Sequence, residues 1–341
     1  MRRIMASEIE WGRNAILVLA LAVTSMTAAL AQPPGKTYRL GLLGASQPAT
    51  TWRSAQNLRS LIEGLQQLGY VEGQNLAIEF RSGESKLERL PILAKELVAL
   101  NVDVLWVSTC GAPLAAAMQV TTTTPIVVAT CSDDMVATGI VQSLAHPGGN
   151  VTGIQKLTPE LAAKRLELLK EVVPKASRVA VLWDPDYSDY AADWARLRAS
   201  AQSLGVTLLP VEAKNQAEFE TSFATMVAMR ADAVITFSDA LSYVHRQRLA
   251  DLAARHRIAM MSPFQETTSD GGLISYGPSI SELQRHSAVF VDRIFKGTKA
   301  GDIAIEQPTK FYLVINLKTA KALGLTIPQS LLLRADEVIQ W

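Results

Sequence analysis

Residues Thr37–Ser46 read TYRLGLLGAS, and residues Arg178–Asp186 read RVAVLWDPD. Each is a short apolar run that ends abruptly in small or polar residues. Such a run, bounded by turn formers, reads as a strand buried on both faces of a parallel sheet. A loop and then a helix are expected behind it. The elements downstream of each run decide the fold.

Behind the first run, Leu58, Leu61, Ile62, Leu65 and Leu68 fall at helical spacing, and Gly69 is a natural stop. The stripe predicts a helix over Trp52–Leu68. Asn75–Arg81 alternates as a strand, and Ser85 with Glu88 has the spacing of a capping box. Asn101–Ser108 (NVDVLWVS) and Pro125–Thr130 (PIVVAT) are further buried strands. Behind the second run the same elements return in the same order. A helix ends at Leu204-Gly205, Val206–Val211 reads as a strand, and Asn215 with Glu218 gives a cap signal. Ala231–Ser238 (ADAVITFS) and Arg257–Ser262 (RIAMMS) complete the series. One α/β architecture is used twice. The remaining strands, Gly272–Tyr276 and Thr309–Leu317, and the helix Ser281–Phe295 fit neither series. They imply that the chain passes back and forth between domains, near 150–154, 276–279 and 308–311. The expected fold is α/β, with two doubly wound parallel-sheet domains joined by a three-crossing hinge. One lobe is 36–153 plus 278–307, the other 154–277 plus 308–341.

The first residues stand apart. Arg2, Arg3 and Arg13 precede an apolar run, Ala15–Leu30, and Ala29-Leu30-Ala31 supplies a small-residue cleavage site. This is the layout of a secretory signal peptide over 1–31; an uncleaved anchor is the alternative. Of 33 basic and 32 acidic residues, the leader holds three arginines and two glutamates, so the mature chain is neutral. A neutral chain carries no footprint for nucleic acid. Of 341 residues, 48% are hydrophobic and 19% charged, which suits globular domains. Two cysteines, Cys110 and Cys131, each close an apolar run, LWVSTC and IVVATC. If those runs are neighbouring strands, the sulfurs meet at one sheet edge. A disulfide and two free thiols both remain open.

Ligands of open parallel sheets bind outside the carboxyl ends of the strands. The first half offers Ser46, Thr109 and Ser132 at those ends, and the second offers Asp184, Asp239 and Phe264. Helix-start amides and hydroxyls favour an anionic group, and free carboxylates favour a cation. Trp183, Tyr187, Phe264 and Tyr276 add aromatic surface near the same edge. The set suits a zwitterion with an apolar body. Each serine, threonine or aspartate is equally suited to capping a helix. GLLGAS lacks the dinucleotide glycine spacing, and neither a phosphate-binding P-loop nor a hydrolase nucleophile elbow occurs. The four histidines show no metal-ligand spacing. Neither cofactor nor metal is expected, and an enzyme is not indicated.

The stretches LIEGLQQLGYVEGQNLAIEFR, SLAHPGGNVTGI, LLKEVVPKASRVAVLWDP, GGLISYGPS and EQPTKFYLVINLKTAKALGLTIP cover much of the chain. In them the sequence resembles ABC-transporter substrate-binding proteins of the tryptophan/tyrosine-binding type, with a periplasmic-binding-protein type I fold. The resemblance implies a periplasmic, monomeric clamp that hands a small-molecule ligand to an inner-membrane ABC permease. It places Ser46, Thr109 and Ser132 on first-lobe ligand loops, and Asp184, Asp239 and Tyr276 on second-lobe and hinge positions. The cysteines in TCGAP and ATCSDD and the loop TFSDALSY depart from the aromatic amino-acid binders. The alternatives are a ligand sensor that signals to a membrane receptor, or a secreted enzyme on the same scaffold.

Overall fold

Strand-forming runs and helical stripes sort into two sheets. A computed structural model describes residues 36–156, 159–185 and 191–340. The leader and the residues Asp186 and Tyr187 lie outside the described residues. The first sheet has five strands, β1 (Tyr38–Gly44), β2 (Leu76–Ser82), β3 (Val104–Val107), β4 (Ile126–Cys131) and β5 (Val151–Gln155). Their order is β2-β1-β3-β4-β5, and all are parallel. The second sheet has seven: β6 (Arg178–Trp183), β7 (Thr207–Glu212), β8 (Ala233–Thr236), β9 (Ala259–Ser262), β10 (Ile274–Gly277), β11 (Tyr312–Asn316) and β12 (Glu337–Ile339). Their order is β12-β11-β10-β9-β8-β6-β7, so β7-β6-β8-β9-β10 repeats the first sheet strand for strand. The pairing of β10 with β11 is antiparallel. The short β12 has no counterpart among the strands expected from sequence.

Every residue of β3, β4, β8 and β9 is buried. That is why these strands read as continuous apolar runs: helices cover both faces. Two hydrophobic clusters sandwich the first sheet and two the second.

The helix Ile280–Phe295 follows β10 of the second sheet but packs on the first, through Leu283, Ala288, Phe290 and Val291. It crosses the helix Gln56–Gln67 closely enough that a Cβ at Gly64 would stand 2.4 Å from the Arg285 carbonyl oxygen. Beyond it, Glu306 lies beside β5: its N–H donates to Gly153 O at 3.0 Å and its carbonyl accepts from Gln155 N at 2.9 Å. The chain then returns to the second sheet as β11.

Two local expectations are corrected. Ser85 and Glu88 form no capping box; Glu84 and Ser85 take left-handed φ of 53° and 66°. A 3-10 turn, Leu87–Arg89, runs straight into the helix Leu90–Ala99, whose N-terminus has no side-chain cap. Pro91 at the helix start needs no N–H partner, so the cap is dispensable there. The stripe from Trp52 is also not one helix: a 3-10 turn over Trp52–Ser54 precedes it, and Trp52 stacks on Phe80 at 5.0 Å. The second cap signal holds, with the Asn215 side chain accepting from Ala217 N and Glu218 accepting from Lys214 N.

Candidate functional site: a cavity between the two sheets

The carboxyl ends of β1, β3 and β4 face the carboxyl end of β8, and a cavity of about 620 Å³, partly open to solvent, lies between them. Its first-lobe wall is Ser46, Ser108, Thr109 and Thr130 at the strand tips, with Phe80, Leu58 and Trp106 beneath. Its second-lobe wall is Ser238, Asp239, Tyr243 and Phe264, closed by Ile280 and Gln284. A second, adjoining cavity shares Ser46, Thr109 and Asp239 and extends to Glu88, Asp184 and Lys214.

Of the seven residues singled out in the sequence, Ser46, Thr109, Asp239 and Phe264 line the first cavity, and Asp184 lines the second. Ser132 and Tyr276 line neither. The ladder of β4 on β5 shifts register between Val128 and Cys131, and Thr130 rather than Ser132 reaches the cavity. Tyr276 lies in the interior of β10, and its ring packs on the second-lobe core and near Phe311 at 6.3 Å. Its carbonyl accepts from Arg165 Nε at 2.8 Å.

The sequence pattern alone did not single out Trp106, Lys156 or Gln284. Trp106 sits inside a strand that reads as core, and it is fully buried; its Nε1 donates to Ser287 Oγ at 2.9 Å. Gln284 lies one helical turn after Ile280, and its Oε1 is buried without a hydrogen-bond partner. Lys156 follows β5 directly. A lysine at the end of an apolar strand was the one signal that could have found it.

Asp239 lines the cavity and also caps a helix. Its Oδ1 accepts from Ser242 N at 2.5 Å and its Oδ2 from Ser242 Oγ at 3.0 Å, which caps the helix Ala240–Val244. Lys156 reaches across from the first sheet, and its Nζ donates to Ser238 Oγ at 3.0 Å. Burial pulls the Lys156 ammonium down to about 8, and Arg165 adds to this; Asp193, Asp133 and Asp239 oppose it. Burial likewise pulls the Arg165 guanidinium down to about 10, opposed by Asp193. Burial raises the Tyr243 phenol and the Glu266 carboxyl behind it. Two buried cations and three carboxylates, Asp133, Asp193 and Asp239, therefore meet where the lobes join.

Cys110 and Cys131 form a disulfide with a Cα–Cα distance of 4.9 Å. With Asp133 they are the one cluster of metal-ligating residue types among the described residues. Both sulfurs are spent in the S–S bond, so this donor set lacks the thiolates that a soft metal needs.

Two α/β lobes of one plan around an interlobe cavity give the type I periplasmic-binding-protein fold. The chain belongs to the ABC transporter substrate binding protein family, whose model matches residues 54–339. A tyrosine-binding protein of Clostridioides difficile (strain R20291) is 24% identical over 268 residues, 78% of this chain and 76% of the relative. Two solved structures share the fold. A conserved domain protein from Vibrio cholerae superposes with a TM-score of 0.79 at 24% identity, over 89% of this chain and 100% of that one. An ABC domain from Streptococcus pneumonia in complex with L-Trp gives 0.78 at 22% identity, with the same coverage of both chains. No helix among the described residues is long and apolar enough to cross a membrane.

Proposed function

We propose that the protein is the exported solute-binding component of an ABC uptake transporter and that its ligand is an amino acid with an aromatic side chain. One observation carries the reading: the cavity lining combines aromatic rings with polar strand tips. Phe80 and Trp106 of the first lobe and Tyr243 and Phe264 of the second supply aromatic surface, while Ser46, Thr109 and Asp239 supply polar atoms at the strand tips. An aromatic ligand side chain of ~150–250 Å² contributes roughly 4–6 kcal/mol by leaving water. The hydroxyls and loop amides take the ligand carboxylate, and Asp239 takes its ammonium. Gln284 Oε1 gains a partner if the ring carries an N–H or O–H donor.

The two lobes, 36–153 with 278–307 and 154–277 with 308–341, close on the ligand by hinge motion, and the ligand selects the closed state. The closed surface then meets an inner-membrane permease. The chain works in the periplasm, as a monomer, once residues 1–31 are removed. The tyrosine-binding relative and the L-Trp complex support the ligand class, and the family supports a binder rather than a catalyst.

The test is calorimetry of the mature protein with L-tryptophan, L-tyrosine, L-phenylalanine, L-leucine and L-glutamate. Saturable binding of one or more of the aromatic three, with the other two inert, is expected. Binding of L-leucine or L-glutamate alone, or of none, refutes the ligand class.

A further inference from the structure

We propose that the Cys110–Cys131 disulfide is a positioning device for the ligand site, holding the two first-lobe strand-tip loops at the spacing of neighbouring strands. The inference rests on the reading of the interlobe cavity as that site. The β3–β4 ladder pairs Leu105 with Ile126, Trp106 with Val127 and Val107 with Val128. There it ends. The two cysteines are 21 residues apart, which is the offset of each of those pairs, so the bridge stands in register three rungs beyond the last one. Its Cα–Cα distance of 4.9 Å matches the ~4.8 Å between hydrogen-bonded strands. The covalent bond continues the ladder where backbone pairing has stopped.

The residues caught between the last rung and the bridge are the ones that matter to a ligand. They are Ser108 and Thr109 beyond β3 and Ala129 and Thr130 in β4; all but Ala129 line the cavity. Thr130 Oγ1 donates to the Ser108 carbonyl at 3.1 Å, a contact that lasts only while the loops stay parallel. The next helix, Ala112–Val120, starts at Gly111 with a φ of 68° and no side-chain cap. In the second lobe the matching tips are fixed otherwise: Asp239 caps its helix, and Ser262 Oγ accepts from Phe264 N and donates to Thr267 Oγ1. The first lobe has a disulfide where the second has side-chain hydrogen bonds. Cys131 also passes the constraint onward, since its carbonyl accepts from Lys156 N at 2.5 Å. Both cysteines are fully buried, so the bridge lies inside the lobe and not at its surface.

The alternative is a bridge that serves stability alone. Hydrogen exchange and calorimetry separate the two, on the oxidised protein, Cys110→Ala/Cys131→Ala and Cys110→Ser/Cys131→Ser, at a temperature where all are fully folded. A positioning role predicts at least tenfold faster amide exchange confined to Ser108–Gly111 and Thr130–Asp134, with β8 and β9 unchanged. It also predicts at least tenfold weaker binding of whichever of L-tryptophan, L-tyrosine and L-phenylalanine the oxidised protein takes. Exchange in those two loops equal to that of the oxidised protein overturns the proposal. So does unchanged affinity. If the oxidised protein takes none of the three, the ligand reading fails and the exchange data alone decide the brace. Should neither double variant fold, oxidised protein treated with dithiothreitol under native conditions supplies the comparison.

Discussion

Lys156→Gln should flatten the rise of stability with pH that the wild-type protein shows above neutrality. The Lys156 side chain is 4% exposed and is enclosed where the lobes join, with Asp133, Asp193, Asp239 and Arg165 as its charged neighbours. Its ammonium titrates at about 8 instead of the ordinary 10.5, because burial costs the charged form more than the three carboxylates return. That gap corresponds to a penalty of about 3 kcal/mol on the protonated folded state. Below about pH 8 both folded and unfolded chains hold the proton, and the whole penalty is present. As pH rises from about 8 toward 10.5, the folded chain releases its proton first, so the unfolded chain binds more protons and stability increases. Between about pH 7 and about pH 9.5 the gain is roughly 2 kcal/mol. Glutamine keeps a donor for Ser238 Oγ and removes the charge. Other groups titrate too, so the informative quantity is the difference between wild type and variant in urea unfolding free energy across that window. Curves that stay parallel over the whole range refute a strained buried ammonium at this position.

Asp239→Asn keeps an acceptor for Ser242 N and so preserves the helix cap, but it removes the negative charge from the cavity. At least tenfold weaker binding of the cognate amino acid is expected by calorimetry, and equal affinity rejects an ammonium contact. Trp106→Phe should abolish most of the change in intrinsic fluorescence on ligand addition, since this buried indole lines the cavity. A fluorescence response as large as that of the wild type places the ligand elsewhere. Gly153→Ala should cost about 3 kcal/mol or more, read as a lowered melting temperature. Its Cβ would stand 2.0 Å from Val128 O at a φ of 141°, so a variant as stable as the wild type contradicts the packing of β5 on β4.

Much of this molecule was legible in its residues alone. The repeated order of runs reported two like sheets, because a strand covered on both faces must be apolar throughout. Ser46, Thr109, Asp239 and Phe264 line the cavity, where one rule, that parallel strands present ligands at their carboxyl ends, expected them. Tyr276, expected at a crossing between the lobes, lies inside β10 with its ring packed against the second-lobe core instead of lining the cavity. Ser132 does not line it either, and the register shift in β4 just before it is invisible in a string of apolar letters.

The sequence by itself determined the duplicated α/β plan and the nearly even balance of 33 basic and 32 acidic residues, since both arise from local periodicity and composition. Only the tertiary structure decided what fills the gap between the lobes. Trp106 stands in a run that reads as a buried strand, Gln284 in a helix placed outside both series, and Lys156 was not singled out; each lines the cavity because elements far apart in the chain converge there. The pairing of Cys110 with Cys131 belongs to the same class. Two cysteines at strand ends permit a bridge, but the register of β3 on β4 brings the sulfurs together, and register is a property of neighbouring strands rather than of either run.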